Sequence, residues 1–360
     1  MRRLVLTVVA AGTLGACTDA NVIRLVGERD GGADAGPTVD AGCGRKPPER
    51  PMGAPGEGPD RFFMLRDFDV FRGDAWRTSG WDLDDLCTTD ATEGPVECQP
   101  PASRGAGHVL DGEDGIDDAF GAVIAPALST VFSGFEEDVA ELQSVGRYTL
   151  IARVRGWNGM ADDDRVEVAL SQGVCATAIG EPACTDEAPG SATWDGSGTD
   201  VLYPADVAFV GGDPEMPRFE DRTSYVAGRK LVMHIPPGVT FDVAGDVRAL
   251  VVSLTDGVLT ADISADGMAL ENGILQGRWP RVDLMAATND ALCPTQPDDM
   301  LIARQIPGFL DNAVDVLRQS TGAPPDAECE AITMSVAFRG YAGTFGGLAP
   351  TPALPDPCAM

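Results

Sequence analysis

From residue 147 onward the chain alternates between apolar and polar positions. Tyr148, Leu150, Ala152 and Val154 fall on one face of a period-two pattern, and Val166, Val168 and Leu170 repeat it. Asn158-Gly159 lies between these runs, a turn signal inside a loop longer than a tight hairpin. An earlier run, Arg61-Phe62-Phe63-Met64-Leu65, predicts a strand within 61–72. Further strands are predicted over 223–235 and 247–255. Asp256-Gly257, set between Leu254 and Val258-Leu259, predicts a two-residue hairpin, while Asp266-Gly267 and Asn272-Gly273 compete for the next turn. Ile332, Met334, Val336 and Phe338 share one face of a late strand over 331–339.

Helical spacing interrupts this pattern. Ile116, Phe120, Val123, Ile124, Ala127, Leu128, Val131 and Phe132 form one stripe, with Pro126 predicted to kink it. Ser133-Gly134-Phe135-Glu136 has the form of a capping box, with Phe135, Val139 and Leu142 as the apolar face that follows. Pro280 opens a short helix, and Phe309, Leu310, Ala313, Val316 and Leu317 mark a last one, stopped by Gly322 and Pro324. Strands and helices do not alternate as a parallel α/β sheet requires. The pattern predicts a mainly β body with inserted helices, an antiparallel β-sandwich. A stretch rich in Gly, Asp and Pro near 190–222 reads either as a subdivision of that body or as a long surface loop.

The N-terminus carries a different pattern. Arg2 and Arg3 precede Leu4 to Leu14, an apolar run of eleven residues. Such a run falls short of the ~20 residues that span a bilayer and suits the apolar region of an export signal. Leu14-Gly15-Ala16-Cys17 follows. This resembles the lipobox of bacterial lipoprotein precursors, in which small residues admit the peptidase and the cysteine thiol takes the lipid. The resemblance implies a signal peptide over 1–16, acylation of Cys17 and a membrane contact made through that lipid. In such lipoproteins an Asp directly after the Cys favours the inner membrane. Here Thr18 follows and Asp19 comes one later, so the resemblance implies a cell-envelope location at the outer membrane rather than the inner. Residues 17–60 read as anchor and disordered linker, because 31–42 and 47–59 are poor in large apolar side chains. A flexible chain from Cys17 to Cys43 would have a root-mean-square span of roughly 30 Å. The extracytoplasmic body is then 61–358.

Composition narrows the function. The apolar share of 44% and charged share of 23% suit a globular core. Acids outnumber bases 56 to 26, for a net charge of −30, which argues against nucleic acid or an anionic head-group surface as partner. His108 and His234 are the two histidines, too few for a His-rich metal site. Nine cysteines, less the acylated Cys17, leave an even eight for an oxidising compartment. Spacing favours Cys87 with Cys98, Cys175 with Cys184 and Cys293 with Cys329, leaving Cys43 and Cys358 to join the ends of the body. No CxxC pair supports a zinc ribbon.

No GxSxG, HExxH, Walker A or GxGxxG motif is present, and no catalytic residue is assigned. The candidate chemistry is acidic. Trp81-Asp82-Leu83-Asp84-Asp85 places Asp82 and Asp84 on one side of an extended chain, where both could meet a hard cation. The segment 111–118 adds Asp111, Asp114 and Asp117 around two glycines, loosely like a calcium loop but off the EF-hand pattern. Asp162 and Asp164 belong to a third cluster behind Trp157-Asn158-Gly159. Each has a structural alternative: Asp117 as a helix N-cap, the third cluster as a solvated turn. If metal is bound, Ca²⁺ is the expected ion, with a dissociation constant of order 10⁻⁴–10⁻³ M for an extracellular module. Of Trp76, Trp81, Trp157, Trp194 and Trp279, the two beside acids, Trp81 and Trp157, are the candidates for stacking on carbohydrate; packing inside the core is the alternative.

Gly80-Trp81-Asp82-Leu83-Asp84, the 111–121 segment, Trp157-Asn158-Gly159 with its trailing acids, and Cys329-Glu330-Ala331-Ile332 together resemble extracytoplasmic lipoproteins of the kind found in large myxobacterial genomes. That resemblance implies location and general architecture and carries over no catalytic residue. The expected function is a lipid-anchored extracytoplasmic protein with a binding or structural role, stabilised by calcium, its partner a carbohydrate or an envelope protein. The alternatives are a carboxylate-dependent polysaccharide hydrolase and a subunit of an envelope assembly.

Overall fold

The alternating segments form strands whose apolar faces turn to a common interior. A computed structural model describes residues 43–359 apart from 54, 70–72, 93–94, 105–106, 132–133, 135–136, 138, 142–148, 175–197, 199, 237–238, 245–247, 321–325 and 352–353. The strands are β1 (Gly58–Asp69), β2 (Thr149–Gly156), β3 (Asp163–Val174), β4 (Val201–Pro204), β5 (Glu220–Ala227), β6 (Lys230–Ile235), β7 (Thr240–Ala244), β8 (Ala249–Ser253), β9 (Thr255–Ile263), β10 (Ala269–Pro280) and β11 (Ala331–Phe345). The helices are α1 (Ala125–Val131), preceded directly by a π-helical turn over Phe120–Ile124, then α2 (Arg281–Asp290) and α3 (Pro297–Ala313). Part of the stretch that the sequence reads as linker is tied to the body: the Gly44 N–H donates to the Asp114 carbonyl at 3.1 Å and the Tyr225 hydroxyl to the Pro48 carbonyl at 2.6 Å.

The protein is mainly β, as its pattern predicts, but the expected pair of facing sheets is one sheet closed on itself. Strands β1, β2, β3, β5, β6, β9, β10 and β11 follow one another antiparallel around an eight-stranded barrel, and the β1–β11 and β3–β5 pairings close the ring. Closure pairs each of these eight strands on both sides, which is how antiparallel sheets avoid edge pairing. The short β4 lies alongside, antiparallel to β3 and parallel to β11.

Two dipeptides that resemble hairpin signals curl the sheet. Asp256 (φ 47°) and Gly257 fall inside β9, where the β10 register slips between Gln276 and Arg278. Asn272 (φ 48°) and Gly273 fall inside β10, where the β11 register slips after Leu270. Both are bulges, which bend and twist a strand. A Cβ on Gly273 would come within 2.5 Å of the Phe338 ring, so the chain passes there without a side chain. The turn between β9 and β10 is Asp266-Gly267. The run 223–235 is divided by Gly228 (φ 57°) and Arg229 (φ 70°), a two-residue turn whose left-handed conformation matches the twist of β5 and β6.

Inside, Leu150, Ala152 and Val154 meet Val166, Val168 and Leu170, with Ile332, Met334, Val336 and Phe338 completing the wall. Where β10 leaves the barrel and β11 enters, Phe120, Ile124, Leu284, Ile306 and Leu310 join the same core. The Phe120 and Trp279 rings stack at 6.2 Å. Helix α3 begins and ends earlier than predicted, with Pro297 in its first turn and extended backbone from Val314; Val316 instead bridges to Ala331. The capping box of 133–136 lies almost wholly outside the described residues. Among the described residues, no helix is long and apolar enough to cross a membrane.

Among the described residues three disulfides brace the body, and their partners differ from those that spacing favours. Cys43 pairs with Cys87, Cys98 with Cys329, and Cys293 with Cys358. Short spacing loses to backbone pairing: the Gln99 N–H donates to the Ala327 carbonyl and the Cys329 N–H to the Gln99 carbonyl, each at 2.8 Å, which sets Cys98 beside Cys329. Cys17, Cys175 and Cys184 lie outside the described residues. The Cys98–Cys329 link spans 231 residues and Cys43–Cys87 spans 44. The chain-entropy relation assigns them about 5 and about 4 kcal/mol respectively. The Cys98→Ser/Cys329→Ser variant is therefore expected to melt lower than Cys43→Ser/Cys87→Ser, read by calorimetry under identical non-reducing conditions.

Candidate functional site: an acidic cluster beside a lateral cleft

Strand β10 sends Leu275 and Trp279 into the core, and Gln276 and Arg278 to the opposite, outer side. Both polar side chains are fully buried there. Gln276 Oε1 accepts from the Trp81 N–H at 2.6 Å, while its Nε2 donates to the carbonyls of Trp81 (2.8 Å) and Asp117 (2.7 Å). Arg278 donates to Glu97 Oε2 at 2.6 Å and to the carbonyls of Leu317 (3.0 Å) and Leu83 (3.1 Å). One amide thus clamps both acid-bearing segments to the barrel wall.

The consequence is convergence of the first two acidic clusters. Asp82, Asp84 and Asp117 each bring one carboxylate oxygen within 4.8 Å of the others. Asp117 Oδ2 accepts from the Leu83 and Asp84 N–H groups at 2.6 and 3.3 Å. Asp84 Oδ1 accepts from Leu86 N–H at 2.9 Å. Asp82 Oδ1 accepts from Asp85 N–H at 2.7 Å and lies 3.5 Å from Lys46 Nζ. Asp117 is not the N-cap of the helical segment; at that end its neighbour Asp118 accepts from Gly121 N–H at 2.9 Å. Asp111 adjoins the cluster, accepting from Thr88 N–H at 2.5 Å.

The other candidates lie elsewhere. Asp114 is exposed with φ 58°, and its carbonyl serves Gly44 and Arg45. Asp162 accepts from Gly228 N–H at 2.7 Å, and the Asp164 carbonyl accepts from Arg50 at 3.2 Å. The third cluster is therefore a junction between turns. Trp157, 2% exposed, belongs to the barrel core with Arg61 at 4.7 Å over its ring and its Nε1 donating to the Met160 carbonyl. Trp194 lies outside the described residues.

Asp315 was not singled out from the sequence, although a lone acid between Val314 and Val316 is a signal for a buried carboxyl. It accepts from Thr333 N–H at 2.9 Å and Thr333 Oγ1 at 2.5 Å. With Asp84, Asp111 and Asp117 it lines a cavity of about 10 Å³, room for one water-sized sphere.

Desolvation dominates the electrostatics. Burial raises Asp315 and Asp111 to about 7 and Asp84 to about 6, with repulsion among these acids adding to it. Burial, then Asp84, Asp111 and Asp315, push Asp117 well above the usual carboxylate range. Asp82 is raised by burial against the pull of Lys46.

A second concavity, of about 520 Å³, opens on the outer wall across β9, β10 and β11. Arg45, Trp81, Lys230, Asp262, Asn272 and Arg339 are among its lining residues. Trp81 is 8% exposed, with its Nε1 donating to Thr260 Oγ1 at 3.3 Å and Arg45 at 5.7 Å from its ring. Asp262 takes Lys230 at 2.5 Å and Asn272 Nδ2 at 3.0 Å.

The chain matches no protein-family profile, no curated protein and no solved structure.

The raised carboxyls set a pH dependence. A carboxyl whose folded pKa exceeds its unfolded value of 3.8 binds its proton more tightly in the folded chain. Its contribution is fully present below about pH 4 and lost as pH rises through about 7. In chelator, the melting temperature is expected to fall by several degrees between pH 5 and pH 8. Asp315→Asn, which keeps an acceptor for Thr333 without the charge, is expected to flatten that fall in thermal melts.

Proposed function

We propose that the protein is a lipid-anchored binding protein of the cell envelope, held through Cys17 at the outer membrane, and that its lateral cleft takes a carbohydrate. The single observation that supports this is the cleft itself. Its volume of about 520 Å³ lies within the usual range for ligand sites. It joins one indole edge to amide, carboxylate and guanidinium groups, which hydrogen-bond well to vicinal hydroxyls. The excess of Arg45, Lys230 and Arg339 over Asp67 and Asp262 favours an acidic saccharide in a chain whose net charge is −30. The disulfides agree with an oxidising compartment.

The hydrolase reading has less support. Asp84, Asp111, Asp117 and Asp315, all raised in pKa, line a cavity too small for a sugar ring, while in the cleft Asp262 is engaged by Lys230 and Asn272. Exposed Val207, Val210 and Met216 within one stretch favour a second reading, a subunit of an envelope assembly.

Calorimetric titration with a panel of neutral and uronic-acid oligosaccharides tests the first reading. Binding is expected for an acidic member, weakened about tenfold by Arg339→Ala or Asn272→Ala, the loss of roughly one charged or neutral hydrogen bond. No heat across the panel would remove it. The anchor is read separately: Cys17→Ser is expected to move the protein from the membrane fraction to the soluble one.

A further inference from the structure

We propose that Asp82, Asp84 and Asp117 together bind one hard divalent cation, Ca²⁺, which locks the 79–86 and 111–118 segments to each other on the outer wall of β10. The carboxylate cluster does not stand alone. Asp82 is 2% exposed, and its Oδ2 has no hydrogen-bond partner. A buried carboxyl oxygen without a partner is one that a cation would satisfy, because a desolvated acceptor left unmet costs more than a satisfied one returns. Its Oδ1 is already committed to Asp85 N–H and faces Lys46, so Oδ2 is the atom left to coordinate.

The backbone keeps that space open. Gly115 has φ 78°, and a Cβ there would sit 3.2 Å from Asp82 Oδ2, 3.0 Å from the Leu86 carbonyl oxygen and 2.9 Å from Cys87 Sγ. The small cavity lined by Asp84 and Asp117 has room for a water that could join a coordination shell. Lys46 donates to the Asp82 carbonyl at 2.6 Å and pairs with the exposed Asp85 at 2.7 Å, and of the Asp82 carboxylate it approaches Oδ1, at 3.5 Å. Among the described residues, neither Asp84 nor Asp117 forms an ion pair.

The donor set selects the ion. All three donors are carboxylate oxygens, and Cys87 is held in a disulfide, so no soft ligand is offered. Oxygens within 4.8 Å of one another fit around an ion with bonds of ~2.4 Å, as in Ca²⁺, while Mg²⁺ gives up its waters reluctantly and is disfavoured by a largely buried set of protein carboxylates. The position also has a consequence for the cleft, since Trp81 is the residue immediately before Asp82. A cation that fixes Asp82 fixes the backbone that presents the indole.

Tb³⁺ luminescence and thermal melts on the full chain after chelation test the site. Tb³⁺ is expected to show emission sensitised by Trp81, displaced by Ca²⁺ with a half-point of order 10⁻⁴–10⁻³ M and only weakly by Mg²⁺. Calcium at about 10 mM is expected to raise the melting temperature by several degrees, with reversal by chelator. Asp84→Asn, at a half-buried position, is expected to fold and to lose most of both responses, while Asp114→Asn keeps them. Unchanged melting in calcium together with no sensitised emission would overturn the proposal, as would full responses in Asp84→Asn and Asp82→Asn. Saccharide titration is a separate readout, so loss of the cation site and loss of the cleft reading are distinguishable.

Discussion

A single buried amide sets the geometry on which the rest depends. Gln276 stands on the outer wall of β10, out of contact with water, and an amide in that position must find partners or cost roughly 1–3 kcal/mol per unmet group. It finds them in the Trp81 N–H and the carbonyls of Trp81 and Asp117. Two chain segments that are about thirty residues apart are thereby fixed side by side. Each carries acids, so satisfying the amide brings like charges together. The electrostatic tension at Asp82, Asp84 and Asp117 follows from the hydrogen bonds that hold the segments.

That clamp works because the wall beneath it is rigid. Closing the sheet through β1–β11 and β3–β5 gives every barrel strand two neighbours. The Cys43–Cys87 and Cys98–Cys329 links then tie the covering segments down at points flanking the acids. Arg278 adds a second hold, through Glu97 and Leu83. The barrel interior contributes the hydrophobic stabilisation, and the polar outer face of β10 contributes position. Trp81 is held between the two, its backbone on Gln276 and its ring among Tyr225, Val232 and Val258.

The strands were legible where one face is core and the other is not. Leu150, Ala152 and Val154, and the late run from Ile332 to Phe338, follow the period-two rule because side chains alternate between barrel interior and exterior. Closure was not legible, since the β1–β11 contact joins the two ends of the body and leaves no local signature. Asp256-Gly257 and Asn272-Gly273 misled for a physical reason: a left-handed residue followed by Gly serves a turn and a bulge equally well. Proximity in sequence was a poor guide to the cysteines, because Cys98 is positioned by pairing of Gln99 with the chain at Ala327 and Cys329. The acid clusters were visible as clusters. Which of them would meet depended on Gln276, an unremarkable residue in a strand. Trp157 and the 162–164 acids carried the same surface signal as Trp81 and Asp82 but serve the core and a turn junction.

The central claim is that the Gln276 amide holds the acid-bearing segments in one fixed arrangement on the barrel. Residue-resolved amide hydrogen exchange on the disulfide-intact chain tests it most directly. The Trp81 N–H is predicted to exchange as slowly as the core amides of β10, and to become fast in Gln276→Ala while the interior strands stay protected. Exchange of the Trp81 amide in the wild-type chain at the rate of an exposed loop would contradict the account.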